Sequence, residues 1–315
     1  MAITPGQQRF ADWEQSSLAE AAAADQGTAA LITVTGSTGT IGSELVRLLS
    51  AAGVDIRALH RDVRKTRTLP NVAWVRADLE DTRGLKVALD RTDRLFLLTG
   101  NEPDFARTQI GVVRAAEELG VRHVVKLSAL GASDHSRSTI AREHWAVEQA
   151  LLSTRLQWTI LRPHAFMQNW LGDVAESVRA EGVIYAPIGD ARVPFIDTRD
   201  IAVVAAEVLL HAEAHVGQKY VLTGGEAVGY ADLADALSEA TGRTIAYRPI
   251  TMEEARARLT ARGVAPTTID AMLAIAAYQR AGGPTATISP NVERILGRPP
   301  RTIRDFARDY ASRFV

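Results

Sequence analysis

From residue 30 onward the chain alternates between two hydrophobic periods. Runs at 30–35, 54–60, 72–76, 94–99, 121–127 and 156–161 are short and strand-like, the first with β-branched Ile32 and Val34. Between them, 41–52, 82–90, 104–119 and 139–153 repeat apolar residues at helical spacing. RLFLLT and VVKLS are apolar on consecutive residues, the pattern of strands covered on both faces. This β–α alternation predicts a doubly wound parallel sheet flanked by helices, a Rossmann-type α/β fold. After residue 161 the rhythm changes. VPFIDTRDIAVVAAEVLL predicts a strand, a cap at Asp197/Thr198 and a helix. KYVLT predicts a strand, and two further helices, in TMEEARARLTARG and PTTIDAMLAIAAYQ, close at Gly263 and Gly282-Gly283.

The expected organisation is a sheet domain from 30–163 plus about 191–222. A smaller interleaved C-terminal α/β lobe, from about 164–190 plus 223–315, would form the substrate lobe, with the ligand crevice between the two. Residues 1–29 form an N-terminal extension with one Arg against four acidic residues. Two readings stand for it: a frayed arm, or a helix with Phe10, Trp13 and Leu18 on one face, packed on a partner subunit in a homodimer.

The richest chemistry lies in LITVTGSTGTIGSELVRLL, residues 31–49. A β-branched run enters a loop of Gly36, Ser37, Thr38, Gly39, Thr40, Ile41 and Gly42, and an amphipathic helix leaves it. The spacing suits a dinucleotide pyrophosphate. Gly36 permits the turn, Gly39 lets backbone N–H groups approach the phosphates, and Gly42 lets the helix lie close to the strand. The helix N-terminus favours the anion.

Composition narrows the remaining classes. The chain has 315 residues, 46% hydrophobic and 23% charged, with a formal net charge of −1. No global field recruits nucleic acid or an anionic membrane. With no cysteine, disulfides, thiolate metal sites and a cysteine nucleophile are excluded, and a reducing cytoplasm is the expected compartment. No apolar run approaches the ~20 residues of a membrane span. The start, MAITPGQQRFADWEQ, lacks the basic and apolar regions of a signal peptide. No histidine shows metal spacing, so no metal is expected. The final arginines, Arg298, Arg301, Arg304, Arg308 and Arg313, alternate with Asp305 and Asp309 and read as a solvated face.

A basic group after the second strand accommodates the 2′-phosphate of NADP, and an acidic one accepts the ribose hydroxyls of NAD. Here Arg61 follows the strand, with Arg64, Lys65 and Arg67 behind. Arg61 and Lys65 therefore point to NADPH over NADH, although Asp62 offers a group to the ribose. Asp78, with Leu79, meets the adenine or else caps the helix near Asp81. Thr99, Gly100 and Asn101 end the fourth strand and Ser128 and Ala129 the fifth, beside the cofactor.

These blocks resemble the NmrA-like branch of the atypical short-chain dehydrogenases. TGSTGTIG resembles its glycine loop and ALHRDVRK its basic turn. GVRHVVKLSALGA resembles its fifth strand, and REHWAVEQAL with LQWTILRPHAFMQNW its H-x-x-x-E helix and LR(P/N) strand end. The likeness extends over about residues 30–312, and within the family it is strongest to triphenylmethane-dye and NADPH:quinone reductases. It implies a cytoplasmic NADPH-binding protein acting on a small-molecule acceptor. With Glu148 aligned on the glutamate that follows the usual Tyr-x-x-x-Lys motif, Ile140 and His144 stand in the tyrosine and lysine places. The resemblance then implies hydride delivery to an aromatic, quinone-like or conjugated acceptor without that pair. The alternative it implies is a sensor that binds dinucleotide without turnover.

His144 and Ser128 are the candidates for catalysis. His144 orients substrate or donates a proton near neutral pH; the bland reading is a bond to Glu148, four residues on. Ser128 meets the nicotinamide or substrate, or caps the strand. Lys126 packs by its stem, and Arg162 is an ion-pair donor. His164, Phe166, Met167 and Trp170 line the acceptor pocket or belong to an ordinary core.

Overall fold

The computed structural model of the chain describes residues 10, 18, 30–102 and 104–315. Its strands are β1 (Ile32–Val34), β2 (Ile56–His60), β3 (Val72–Arg76), β4 (Arg94–Leu97), β5 (His123–Leu127), β6 (Gln157–Pro163), β7 (Val183–Ala186), β8 (Gln218–Leu222) and β9 (Ala246–Pro249). Between the early strands run helices α1 (Thr40–Ala51), α2 (Thr82–Leu89), α3 (Phe105–Glu118) and α4 (Thr139–Leu152).

Two compact units emerge. The first holds Met1–Pro163, Thr198–Leu222 and Ile295–Gly297; the second holds His164–Asp197, Thr223–Arg294 and Arg298–Val315. The first is a seven-stranded sheet in the order β3-β2-β1-β4-β5-β6-β8, and every pairing in it is parallel. This is the Rossmann order with β8 added beyond β6, and its direction reverses between β1 and β4. Consecutive apolar residues follow from burial on both faces: β4 and β5 are buried throughout. Leu95, Leu97 and Val124 pack with Leu85, Val112, Val147 and Leu151 from the helices. The helix Thr198–Leu210 is apolar nearly all round and correspondingly buried. Arg94 anchors its end, donating to Leu209 O at 2.6 Å and Leu210 O at 3.1 Å.

The second unit carries the two-stranded parallel pair β7–β9 and a core of Trp170, Ile184, Phe195, Leu233, Leu237 and Phe306. The run VPFI, expected as a strand, forms only isolated bridges, Val193↔Val228 and Phe166↔Ile196. Pro194 explains the break, because it has no N–H for a ladder and splits the run. Gly263, Gly282 and Gly283 follow their helices with φ of +74°, +66° and +67°, as expected of left-handed helix ends. Arg298 and Arg301 are buried, so the arginine run is not one solvated face; exposed Arg304 and Arg308 pair with Glu239 and Asp305. Within the N-terminal extension the structure describes Phe10 and Leu18, both helical and buried; Trp13 lies outside the described residues.

Candidate functional site

The glycine loop lies at the switch point. Thr35, just past β1, accepts from Leu98 N at 2.8 Å and donates to Leu98 O at 2.7 Å, which binds the ends of β1 and β4 together. Gly36 has φ of +61°, and a Cβ there would fall 2.8 Å from Leu98 O. A Cβ at Gly42 would fall 2.2 Å from Gly36 O. Only glycine fits either place. Ser37 is buried and donates to Leu59 O at 2.6 Å, tying the loop to β2. Gly39 and Thr40 are exposed, while Ile41 anchors α1 in the core. Gly39 is the N-cap of α1 and brings no side-chain acceptor to its first turn, which also holds no acidic residue. The first amides of α1 are thus left to an anion. The cradle fits a pyrophosphate.

At the end of β2, a cavity of about 210 Å³ is lined by Arg61, Arg76, Ala77 and Asp78. Arg61 is exposed and pairs with Glu102 at 3.1 Å, an exposed contact of the kind that contributes little and is easily exchanged for another anion. Lys65 is exposed on a short turn after Asp62. Asp62 itself accepts from the backbone N and the guanidinium of Arg64, which hold its carboxyl below the usual range; it is committed locally. Asp78 accepts from Glu80 N at 3.0 Å, whereas Asp81 caps α2, so the reading of Asp78 as the helix cap is corrected. Leu79 packs at the rim of the core.

Thr99, Gly100 and Asn101 follow β4. Thr99 accepts from Gln109 Nε2 at 2.7 Å. Gln109 is fully buried on the apolar face of α3, and its Oε1 has no partner among the described residues. It went unnoticed in the sequence, where the signal was one amide among apolar positions of FARTQIGVV.

After β5 a buried polar cluster forms. Ser128 donates to Glu148 Oε1 at 2.5 Å. Glu148, fully buried on α4, also takes Arg162 Nε at 2.9 Å and Nη2 at 2.5 Å, with Lys219 Nζ 3.7 Å away. Ser128 N donates to Leu161 O at 2.7 Å, and Ala129 opens the following turn. Arg162 is the ion-pair donor expected of it. Glu148 as hub, and Lys219, were not foreseen.

His144 does not make the expected bond to Glu148. It is buried against the Phe105 ring, with centroids 4.8 Å apart, and its Nδ1 meets Lys126 Nζ at 3.1 Å. Glu148 is committed instead to Ser128 and Arg162. Burial first, then the Lys126 charge, pushes the imidazole pKa down to about 2, so the ring is neutral rather than a cationic acid near pH 7. Lys126 is fully buried, and burial pushes its amine down to about 7 against the pull of Glu148.

In the second unit the acceptor-pocket reading is corrected. Met167 and Trp170 lie at 1% and 2% exposure inside the hydrophobic core, Trp170 against Phe195 and Phe306. His164 is buried and commits both ring nitrogens: Nε2 to Thr285 O at 2.9 Å and Nδ1 to Ala165 N at 2.6 Å. Phe166 is half-buried and bridges to Ile196.

Comparison with known proteins agrees with this geometry. The model of the NmrA-like family matches residues 28–299. The NAD(P)H azoreductase of Xenophilus azovorans is 37% identical over 286 residues, 90% of this chain and 99% of that protein. Among solved structures, the triphenylmethane reductase of Citrobacter sp. complexed with NADP(H) superposes with a TM-score of 0.80 at 25% identity, over 89% of this chain and 99% of that one. The NADPH-dependent quinone oxidoreductase QOR2 of Escherichia coli, complexed with NADPH, gives 0.79 at 26%, over 88% and 98%.

Proposed function

This chain belongs to the NmrA-like family, and from that premise we propose that it passes hydride from NADPH to an aromatic, quinone-like or other conjugated small molecule. It is an NAD(P)H-dependent oxidoreductase, as its relatives are by name. When bound, NADPH supplies the hydride. The chain's part is to place the cofactor. The Gly36–Gly42 cradle and α1 receive the pyrophosphate, and Arg61 with Lys65 receives the 2′-phosphate. Thr99, Gly100, Asn101, Ser128 and Ala129 border the nicotinamide side. Ser128 has spent its proton on Glu148, so it faces any ligand as an acceptor.

The observation that supports the acceptor class is the His144 ring, held neutral by burial where the resemblance places the lysine of the motif pair, with Ile140 in the tyrosine place. Three tyrosine hydroxyls are committed elsewhere: Tyr185 to Glu181, Tyr220 to His215 and Tyr247 to Gly189. Burial raises Tyr230 to about 12. Acceptors whose conjugation already stabilises added charge need the least from such a site. NADPH oxidation followed at 340 nm across quinones, azo and triphenylmethane dyes, and enones tests this. Turnover of at least one class is expected, and saturable NADPH binding with none reduced refutes the reading.

A further inference from the structure

We propose that Lys126 and His144 form a buried proton relay that serves the reduced acceptor, with Lys126 as the positioning residue and His144 as the group that hands over the proton. The inference rests on the reductase reading above. Lys126 lies within β5, and its Nζ meets the Leu127 carbonyl oxygen and His144 Nδ1, the latter at 3.1 Å. An ammonium has donors and no acceptor, so Nδ1 must accept. The proton of the neutral ring then sits on Nε2. Lys126 thus sets the tautomer, and the Phe105 ring packed on His144 holds its plane. Ala106 N donates to Glu143 Oε2 at 3.1 Å, which fixes the start of α3 to α4 beside the pair.

Ordinary packing does not need this arrangement. A lysine inside a parallel sheet, with no carboxylate bonded to its amine, is costly to bury. Among the titratable groups on the elements around it, helix α4 brings Arg142, Glu143, His144 and Glu148, and Glu148 is itself bound by Arg162 of β6 and Lys219 of β8. Strand β4 carries Arg94, and the helix Thr198–Leu210 carries Arg199, Asp200 and Glu207. Among the described residues Glu148 pulls on the amine, and burial outweighs it, bringing Lys126 down to about 7, where it can give up and regain a proton.

The step balances. An acceptor that has taken a hydride holds a new electron pair on its heteroatom. That pair forms a bond to the Nε2 proton of His144 as the N–H bond breaks. Nδ1 takes a proton from Lys126 Nζ, leaving the other imidazole tautomer and a neutral amine. After product departs, a solvent proton enters at Nε2 and the Nδ1 proton returns to Lys126. One solvent proton is consumed for each hydride accepted.

Two acceptors separate this relay from hydride transfer itself. A cationic triphenylmethane dye is neutralised by hydride alone, whereas a quinone needs hydride and a proton. Lys126→Met is expected to lower the quinone-to-dye ratio of kcat by about 10²-fold and to abolish the decline of quinone kcat above neutral pH. Equal losses with both acceptors overturn the relay. A wild-type protein that reduces neither overturns the reductase reading instead. The pair is also read without turnover and without the Met variant. Imidazole ¹⁵N shifts of the wild type, assigned with His144→Gln, are expected to show Nε2–H and an accepting Nδ1 below neutral pH, with Lys126 Cε titrating near 7. An Nδ1–H ring, or a Lys126 that titrates at its ordinary value, overturns the proposal.

Discussion

Gly42 has no room for a methyl group, since a Cβ would overlap the Gly36 carbonyl at 2.2 Å. Gly42→Ala should therefore push α1 off the loop, lower Tm and abolish NADPH binding by calorimetry; wild-type affinity in that variant would contradict the cradle. Arg61 is a milder case. Its partner Glu102 is exposed, and Arg61→Ala should weaken NADPH by about 1–3 kcal/mol, the range for a lost charged hydrogen bond, and leave NADH nearly untouched. Equal weakening of both cofactors would remove the 2′-phosphate assignment. The glycine turn and the position of Arg61 were legible because they depend on residues adjacent in the chain. The polar cluster was legible only in parts. Lys126, Ser128, His144 and Arg162 each stood out, but what joins them is lateral pairing of strands far apart in sequence, such as Lys126↔Ile160 in β5 and β6. Met167 and Trp170 were ambiguous for another reason. A sulfur and an aromatic ring at this spacing serve a core or a pocket equally well, and here neighbours from distant segments, Phe195 and Phe306, decide for the core.

Strand β5 makes the fold's pH dependence an element property. His123 begins it, fully buried, with Nε2 2.9 Å from Thr159 Oγ1. Burial first, then the charge of Arg94, lowers its pKa from 6.5 to about 4. Between those values the unfolded chain binds more protons than the native one. Stability from the neutral ring is full above pH 6.5 and is lost as pH falls towards 4, up to about 3 kcal/mol at full titration. Lys126 acts in the same sense at higher pH: lowered from 10.5 to about 7, it makes stability rise as pH climbs through that window. Tm against pH for the wild type and His123→Leu tests the first effect; the variant should flatten the acid limb below pH 6.5, and an unchanged limb would refute it. At this scale the chain was largely readable. Helices α1 to α4 and the six early strands fall within two residues of their expected limits, because hydrophobic period and burial agree there. VPFI failed because apolar content alone does not make a strand when Pro194 interrupts the ladder.

For the molecule as a whole, composition excluded more than it identified. The lack of any cysteine removed disulfide and thiolate chemistry, but composition did not name an acceptor. The parallel sheet with its switch point between β1 and β4 localised the cofactor loop, since in this topology ligands lie beyond the carboxyl ends of the strands. Acceptor chemistry was less accessible, because it depends on segments contributed by separate stretches of chain. The central claim is that hydride passes directly from NADPH to a conjugated acceptor. Transfer of deuterium from NADPH labelled at C4 into a carbon acceptor, an enone or a triphenylmethane dye, measures this most directly by mass spectrometry of the product. The account predicts one deuterium in the product from one of the two C4-labelled epimers and none from the other. Product free of deuterium from both epimers, or labelled NADPH bound but never consumed, would contradict it.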